Sequence, residues 1–335
     1  MILRHRPVEL QLRHTFRLAR GASDSRTNLI IEVEDDGLIG LGEAAPIARY
    51  GQDWRSAATA VEKMVEGLKD PRCFDSAVDR AAVAGQPAAS AALEMALRDL
   101  AGKRLGAPVY RLAGIDPKPM PVTSFTIGID EPEVVAEKVR QAEGFAALKI
   151  KLGGDDDRAL LEAVRAVTDC PLRVDANEGW TLEQARVYLP WLADQGVELV
   201  EQPLPAGQIE EMRRLKDISP LPLFADESVG RASDIPALAA GFHGINIKFM
   251  KCGGMGEALR MIAVARAHGL KTMLGCMVES SLAITAAAHL APLVDFADLD
   301  GNLLVTNDPF RGATVANGRL VLPAGPGLGV DPRDV

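Results

Sequence analysis

The stretch LRVDANEGWTLEQARVYLPWLADQGVELVEQP, residues 172–203, decides the fold. It opens on a short β-branched run ending in a carboxylate (LRVDAN), passes into an amphipathic segment closed by a glycine (TLEQARVYLPWLADQG), and returns to a second apolar run that also ends in a carboxylate (VELVEQP). Strand, helix with a glycine stop, strand is the pattern of a parallel crossover unit. Outward from it the same unit recurs about every 25 residues: VTSFTIGI (122–129), ALKIKLG (147–153), PLFADES (222–228), INIKFM (245–250), KTMLGCM (271–277) and FADLDG (296–301). Helix-like segments such as PEVVAEKVRQAEG, DRALLEAVRAVTD and GEALRMIAVARAHG lie between them. With residues 172–177 and 197–203 the runs number eight, the strand count of a closed barrel covered by helices.

The first part of the chain reads differently. QLRHTFRLA and NLIIEVEDDGLIGLGEA predict an antiparallel meander with a turn at DDG, and RSAATAVEKMVEGLKD and PAASAALEMALRDLAGKRLG predict helices, so this portion is α+β. A Gly/Pro-rich tail, GATVANGRLVLPAGPGLGV, predicts one hairpin and a return to the first domain. The expected organisation is an N-terminal domain over residues 1–118, a barrel over 119–309 and a returning segment over 310–335.

Composition narrows the function classes. Of 335 residues, 47% are hydrophobic and 25% charged, the balance of a folded domain rather than a disordered chain, and no run reaches membrane-spanning length. The opening MILRHRPVELQLRH breaks its apolar residues with charges and lacks the core of a signal peptide, so a cytoplasmic location is expected. A net charge of -9 argues against nucleic acid, whose phosphates need a basic surface. Cys73, Cys170, Cys252 and Cys276 form no CxxC pair and predict neither a zinc site nor a disulfide framework. The five histidines form no cluster in the sequence.

The chemistry lies in the charges at the strand ends. Asp175, Glu201, Asp226 and Lys248 follow one another at intervals of 26, 25 and 22 residues, each one strand-helix unit, and in a barrel such ends converge on one mouth. Singly each carboxylate could cap the helix after its strand. Three in register repel unless a cation sits between them, and an all-oxygen set suits Mg2+. Lys149 and Lys151 share a face of the strand before the first acid, and Lys248 stands one strand after the last. Lys151 and Lys248 therefore approach the proposed metal from opposite sides, with Lys149 placed to lower the pKa of Lys151 and make it a base. The alternative is that Lys149 and Lys151 are structural partners of the acids. On the eighth run Asp298 and Asp300 form a second carboxylate pair, suited to a substrate ammonium group. One of them capping the last turn is the plainer reading.

With KIK, DAN, EQP, ADES and IK in this order, over residues 149–248, the chain resembles the enolase superfamily, in its muconate-lactonizing branch. The resemblance implies a (β/α)7β barrel under an α+β cap, Asp175, Glu201 and Asp226 as Mg2+ ligands, Lys151 and Lys248 as acid/base groups, and Lys149 assisting. The DxD of Asp298 and Asp300 looks like that of the dipeptide epimerases of the L-Ala-D/L-Glu type, where it holds the free N-terminus of the peptide. That similarity also places Thr126 and the Cys276–Met277 segment in the pocket. The activity it implies is an isomerase: a 1,1-proton transfer through an enediolate that inverts the α-carbon of the C-terminal residue of a dipeptide such as Ala-Glu, in cell-wall peptide metabolism. Cycloisomerisation, o-succinylbenzoate synthesis and a non-catalytic metal- or ligand-binding barrel are the alternatives. A homo-oligomer is expected.

Side-chain selectivity is to be sought in two links that could cover the mouth. In RLARGASDSRTN (17–28), Ser23 and Asp24 stand where Glu-specific members of the family carry an arginine, which argues against a Glu preference unless Arg20 or Arg26 substitutes. In IARYGQDW (47–54), Tyr50 and Trp54 could meet an apolar side chain.

Overall fold

The structure, a computed structural model, describes residues 1–19, 21–68 and 70–333. The cap is built on an antiparallel sheet of β1 (Ile2–Leu18), β2 (Gly21–Asp35) and β3 (Leu38–Ala44), in that order. Asp36 and Gly37, at φ 52° and 75°, make the tight turn between β2 and β3 that DDG predicts. Helices α1 (Trp54–Glu66), α2 (Phe74–Ala81) and α3 (Pro87–Leu105) follow. The alanine-rich α3 is buried over most of its length against β3. Gly40 and Gly42 make that approach possible, because a Cβ on either would stand 2.0 Å from the carbonyl oxygen of Ala96 or Ala92.

After a short turn of helix, α4 (Val109–Leu112), the barrel begins. Its strands are β4 (Phe125–Ile127), β5 (Leu148–Lys151), β6 (Leu172–Asp175), β7 (Val197–Glu201), β8 (Leu223–Ala225), β9 (Gly244–Lys248), β10 (Lys271–Gly275) and β11 (Phe296–Asp298). All eight are parallel and paired in sequence order, and a bridge from Thr123 to Ala297 joins the last to the first. The crossovers carry α5 (Pro132–Gln141), α6 (Asp157–Arg165), α7 (Leu182–Asp194), α8 (Ile209–Ile218), α9 (Ile235–Leu238), α10 (Phe249–Cys252) with α11 (Met255–Ala267), and α12 (Ser281–Ala288). The fold is therefore the (β/α)7β barrel with an α+β cap. The strands are shorter than the apolar runs that predict them: VTSFTIGI yields three strand residues, preceded by isolated bridges at Val122 and Thr123, and PLFADES yields three, since its polar DES end turns into a mouth loop.

Two further features bear on the site. Residues 17–18 and 21–28, within the stretch read from sequence as a polar link, are instead strand of a long hairpin: β1 and β2 stay paired as Phe16 with Ser23, Arg17 with Ala22 and Leu18 with Gly21, after a register shift between Gln11 and Phe16. Alternation is hidden there because most of the tip is exposed. At the other end of the chain, the Leu328 N–H donates to Asp99 of α3 at 2.8 Å and the Val109 N–H to the Gly327 carbonyl at 2.9 Å, which ties the tail to the cap.

Candidate active site

Sheet register builds the site in one layer. Lys151 pairs with Asp175 and Asp175 with Glu201 across β5, β6 and β7, while Lys248, Gly275 and Asp298 form the matching row across β9, β10 and β11. Asp226 follows the last residue of β8 and completes the ring. Alternation turns these side chains inward together. Oxygens of Asp175, Glu201 and Asp226 all lie within 4.8 Å of one another, and the three carboxylates are 0%, 0% and 3% exposed.

The lysines answer the question of how like charges share a strand face. Lys151 Nζ stands 2.6 Å from Asp175 Oδ2, and Lys149 Nζ reaches the same oxygen at 3.3 Å, Glu201 Oε2 at 2.9 Å and Asp298 Oδ2 at 2.6 Å. A carboxylate thus sits between the two ammonium groups. Across the ring Lys248 Nζ donates to Asp226 Oδ2 at 2.9 Å. Burial alone would lower Lys149, but Asp298, Glu201 and Asp175 more than reverse it and hold the ammonium charged well above its ordinary range. Lys248 is likewise raised, because Asp226 and Glu201 outweigh its burial. On the acid side, burial would raise Asp175, yet Lys151 and Lys149 bring it down to about 2. Asp226 is pushed far down against its burial by Lys248 and Lys251. Glu201 goes the other way, to about 8, through burial and then the Asp175 charge.

Glu201 Oε1 accepts from Asn246 Nδ2 at 2.8 Å, but Oε2 takes no well-aligned hydrogen bond even though Lys149 Nζ is near. Three buried carboxylates with converging oxygens, one of them an unsatisfied acceptor, fit a hard divalent cation with all-oxygen ligation, and Mg2+ is the ion of that chemistry.

The pair on the eighth strand is not symmetrical. Asp298 ends β11 and is engaged within the protein, by Lys149 and by the Ser124 hydroxyl at 2.7 Å. Asp300 lies beyond the strand, accepts the Thr126 N–H at 2.6 Å, and is raised to about 7 by burial and by Asp298 beside it. Both line a cavity of about 380 Å3 between the barrel mouth and the cap, with Thr126, Lys149, Lys151, Lys248, Cys276 and Met277.

From the cap, Phe16, Leu18, Arg26, Ile47, Arg49 and Tyr50 face the same cavity. Burial lowers Arg26, which pairs with no carboxylate among the described residues. Ser23 and Asp24 are spent inside the hairpin, on the Ser25 carbonyl and the Thr15 hydroxyl. Arg20 lies outside the described residues. Tyr50 lines the cavity, whereas Trp54 does not and stacks under Arg55 at the start of α1.

Three participants do not stand out in the sequence. Asn246 and Ser124 look like ordinary strand residues, and nothing local marks them. Lys251, on the helical turn three residues past Lys248, reads in the sequence as an ordinary solvated lysine.

Comparison with known proteins agrees with this geometry. The profile for the mandelate racemase / muconate lactonizing enzyme N-terminal domain matches residues 3–114, and the enolase C-terminal domain-like profile matches residues 133–335. The chain is 44% identical, over 97% of its length and 86% of the relative's, to an L-Ala-D/L-Glu epimerase of Bacteroides thetaiotaomicron. It is 41% identical, over 97% and 96%, to a hydrophobic dipeptide epimerase of Roseobacter litoralis. The crystal structure of a dipeptide epimerase from Enterococcus faecalis, complexed with Mg and L-Leu-L-Tyr, superposes with a TM-score of 0.92 at 34% identity, covering 98% of each chain.

Proposed function

The chain belongs to the enolase superfamily, in its mandelate racemase/muconate lactonizing branch, and from that premise we propose that it is an Mg2+-dependent dipeptide epimerase acting on the C-terminal residue of its substrate. It is an isomerase. The observation that carries the mechanism is the placement of Lys151 and Lys248 on either flank of the buried acid ring, each on its own carboxylate.

Asp175, Glu201 and Asp226 would hold the metal, which when bound supplies positive charge against the charge that develops on the substrate carboxylate as its α-hydrogen leaves. The remaining work falls to the chain. Asp300, with Asp298 beside it, binds the free ammonium group of the dipeptide and orients the second residue over the ring. One lysine, in its neutral form, takes the α-proton from one face; the other, as ammonium, returns a proton to the opposite face, and the carbon is inverted. Which lysine begins depends on the isomer that enters. Lys149 holds Asp175, Glu201 and Asp298 in place, while Thr126 and Met277 form the walls.

Residues 1–118 act as the specificity cap, 119–309 as the catalytic barrel, and 310–335 as the strap between them. Of the two cap cations that line the cavity, Arg49 is paired with Glu178 and Arg26 has no carboxylate partner among the described residues, so an acidic side chain such as that of Ala-Glu is favoured over a basic one. The setting we propose is the cytoplasm, on small peptides from the cell wall, as a homo-oligomer; no helix among the described residues is long and apolar enough to cross a membrane.

The test is a library of L,L-dipeptides with acidic, basic and apolar C-terminal residues, incubated with enzyme and Mg2+ in D2O. The L,D epimer should appear with deuterium at the α-carbon of the C-terminal residue. No uptake across the library, or uptake at the N-terminal residue, would refute the proposal.

A further inference from the structure

We propose that Lys251 is a positioning residue for the metal ligand Asp226 and, through it, for Lys248; this rests on the roles given above to those two groups. Lys251 lies on α10, the single helical turn after β9, three residues past Lys248. Its side chain is 4% exposed, and its ammonium group donates to Asp226 Oδ1, to the Asp226 carbonyl and, at 3.1 Å, to the Val229 carbonyl.

Those three acceptors use all three protons of an ammonium group. Lys251 borders the cavity but has no proton left to exchange with a substrate, which separates it from Lys151 and Lys248. Its partners also say what it does. Asp226 and Val229 are the two ends of the turn that leaves β8, closed by the Val229 N–H on the Asp226 carbonyl at 3.1 Å. Lys251 grips both ends of that turn and one carboxylate oxygen, so that Oδ2 is the oxygen presented to Lys248. A carboxylate held by one oxygen cannot swing, and the distance from ligand to base is set by one short helical turn.

The turn itself is fixed from the cap. It ends on Gly253 at φ 100° and Gly254 at φ 127°, and a Cβ on Gly254 would stand 2.0 Å from Glu94 Oε2 of α3. Glu94 Oε1 accepts the Gly256 N–H at 2.9 Å, at the start of α11. Lys251 therefore connects the cap helix α3 to the metal ring.

The experiment is Mg2+ titration by calorimetry of the parent, Lys251→Met and Lys251→Arg, with thermal unfolding and epimerisation kinetics on the same preparations. Loss of an outer partner of a metal ligand typically costs about 10- to 100-fold in affinity, and K251M is expected to weaken Mg2+ by that factor. Its kcat should fall at least as far while KM for the dipeptide changes by less than about threefold, because the ammonium site at Asp300 is untouched. K251R, which keeps the charge and several donors, should recover most of the Mg2+ affinity. If K251M does not fold, Lys251→Gln takes its place, with the same expected loss. A variant that melts earlier but binds Mg2+ as the parent does would make Lys251 merely structural and overturn the inference. A parent that binds Mg2+ but turns over no dipeptide would refute the proposed activity and leave the calorimetry to decide Lys251. A parent that binds no Mg2+ would overturn both.

Discussion

The two walls of the cavity are built on opposite principles. On the barrel side Lys149, Asp175 and Glu201 are at most 1% exposed, and each stands within 2.9 Å of an opposite charge on another strand. On the cap side Tyr50 is 40% exposed, Arg26 has no acidic partner among the described residues, and Arg49 reaches Glu178 from a side chain that is itself 40% exposed. Burying an ion costs several kcal/mol unless its geometry is met closely, so the barrel wall tolerates little change. The cap wall carries no such constraint. The contrast assigns chemistry to the rigid wall and choice of substrate to the wall that can vary.

Chelation should give the largest effect. If the acid ring is a metal site, EDTA takes epimerisation to background and added Mg2+ restores it; activity that survives exhaustive chelation would remove the barrel wall's claim to the chemistry.

Away from the cavity, a buried histidine where the barrel meets α4 and the tail titrates. His289, at the end of α12, accepts the Tyr110 N–H on Nδ1 at 3.2 Å and sets Nε2 3.2 Å from the Leu328 carbonyl, which fixes it as the neutral form with its proton on Nε2. Burial lowers it from 6.5 to about 4. The unfolded chain then takes up the proton first, so this contribution is complete above pH 6.5 and is lost as pH falls toward 4. Every tenfold difference in proton affinity between the folded and unfolded chain is worth about 1.4 kcal/mol, so the loss is about 3 kcal/mol. Denaturant unfolding across that range should show it, and His289→Gln should flatten the slope; an unchanged slope would move the acid sensitivity elsewhere.

Asp300 stands at the edge of the barrel wall and lines the cavity. Removing a charged hydrogen-bond partner typically costs about 1.5–3 kcal/mol, so Asp300→Asn should raise KM by roughly 10- to 100-fold with kcat little altered. An N-acetylated dipeptide, which has no ammonium group, should not distinguish variant from parent.

The cap changes should be smallest. Arg26→Ala is expected to lower the preference for an acidic over an apolar C-terminal residue by up to about fivefold, in keeping with exposed charges worth about 1 kcal/mol or less. Arg49→Ala should do less. An Arg26 variant with kcat reduced as severely as a barrel variant would break the division of labour.

The same contrast explains what can be read in the sequence. The eight strands are legible because each apolar run is long enough to need burial and ends in turn residues. The acid ring is legible because charge at the end of a buried strand is costly and its spacing repeats with the fold. The pairing of Lys149 with Asp298 is not, since the two lie 149 residues apart and meet only when β11 closes on β4. Lys251 escapes notice because a lysine on a helical turn is ordinarily solvated, and only the turn at 226–229 makes it buried. The hairpin tip reads as a link because a strand exposed on both faces carries no apolar alternation.

The most direct measurement of the central claim uses the lysines one at a time. Lys151→Ala and Lys248→Ala, each with Mg2+ in D2O, are offered the L,L and the L,D dipeptide separately, and α-hydrogen exchange is followed by proton NMR. Neither variant should epimerise, a loss of about 10^2- to 10^4-fold for a missing acid/base group. Each should retain exchange of one isomer only, and the two variants should retain opposite isomers. If both keep the same isomer, or either exchanges both, the lysines do not serve opposite faces and the account is wrong.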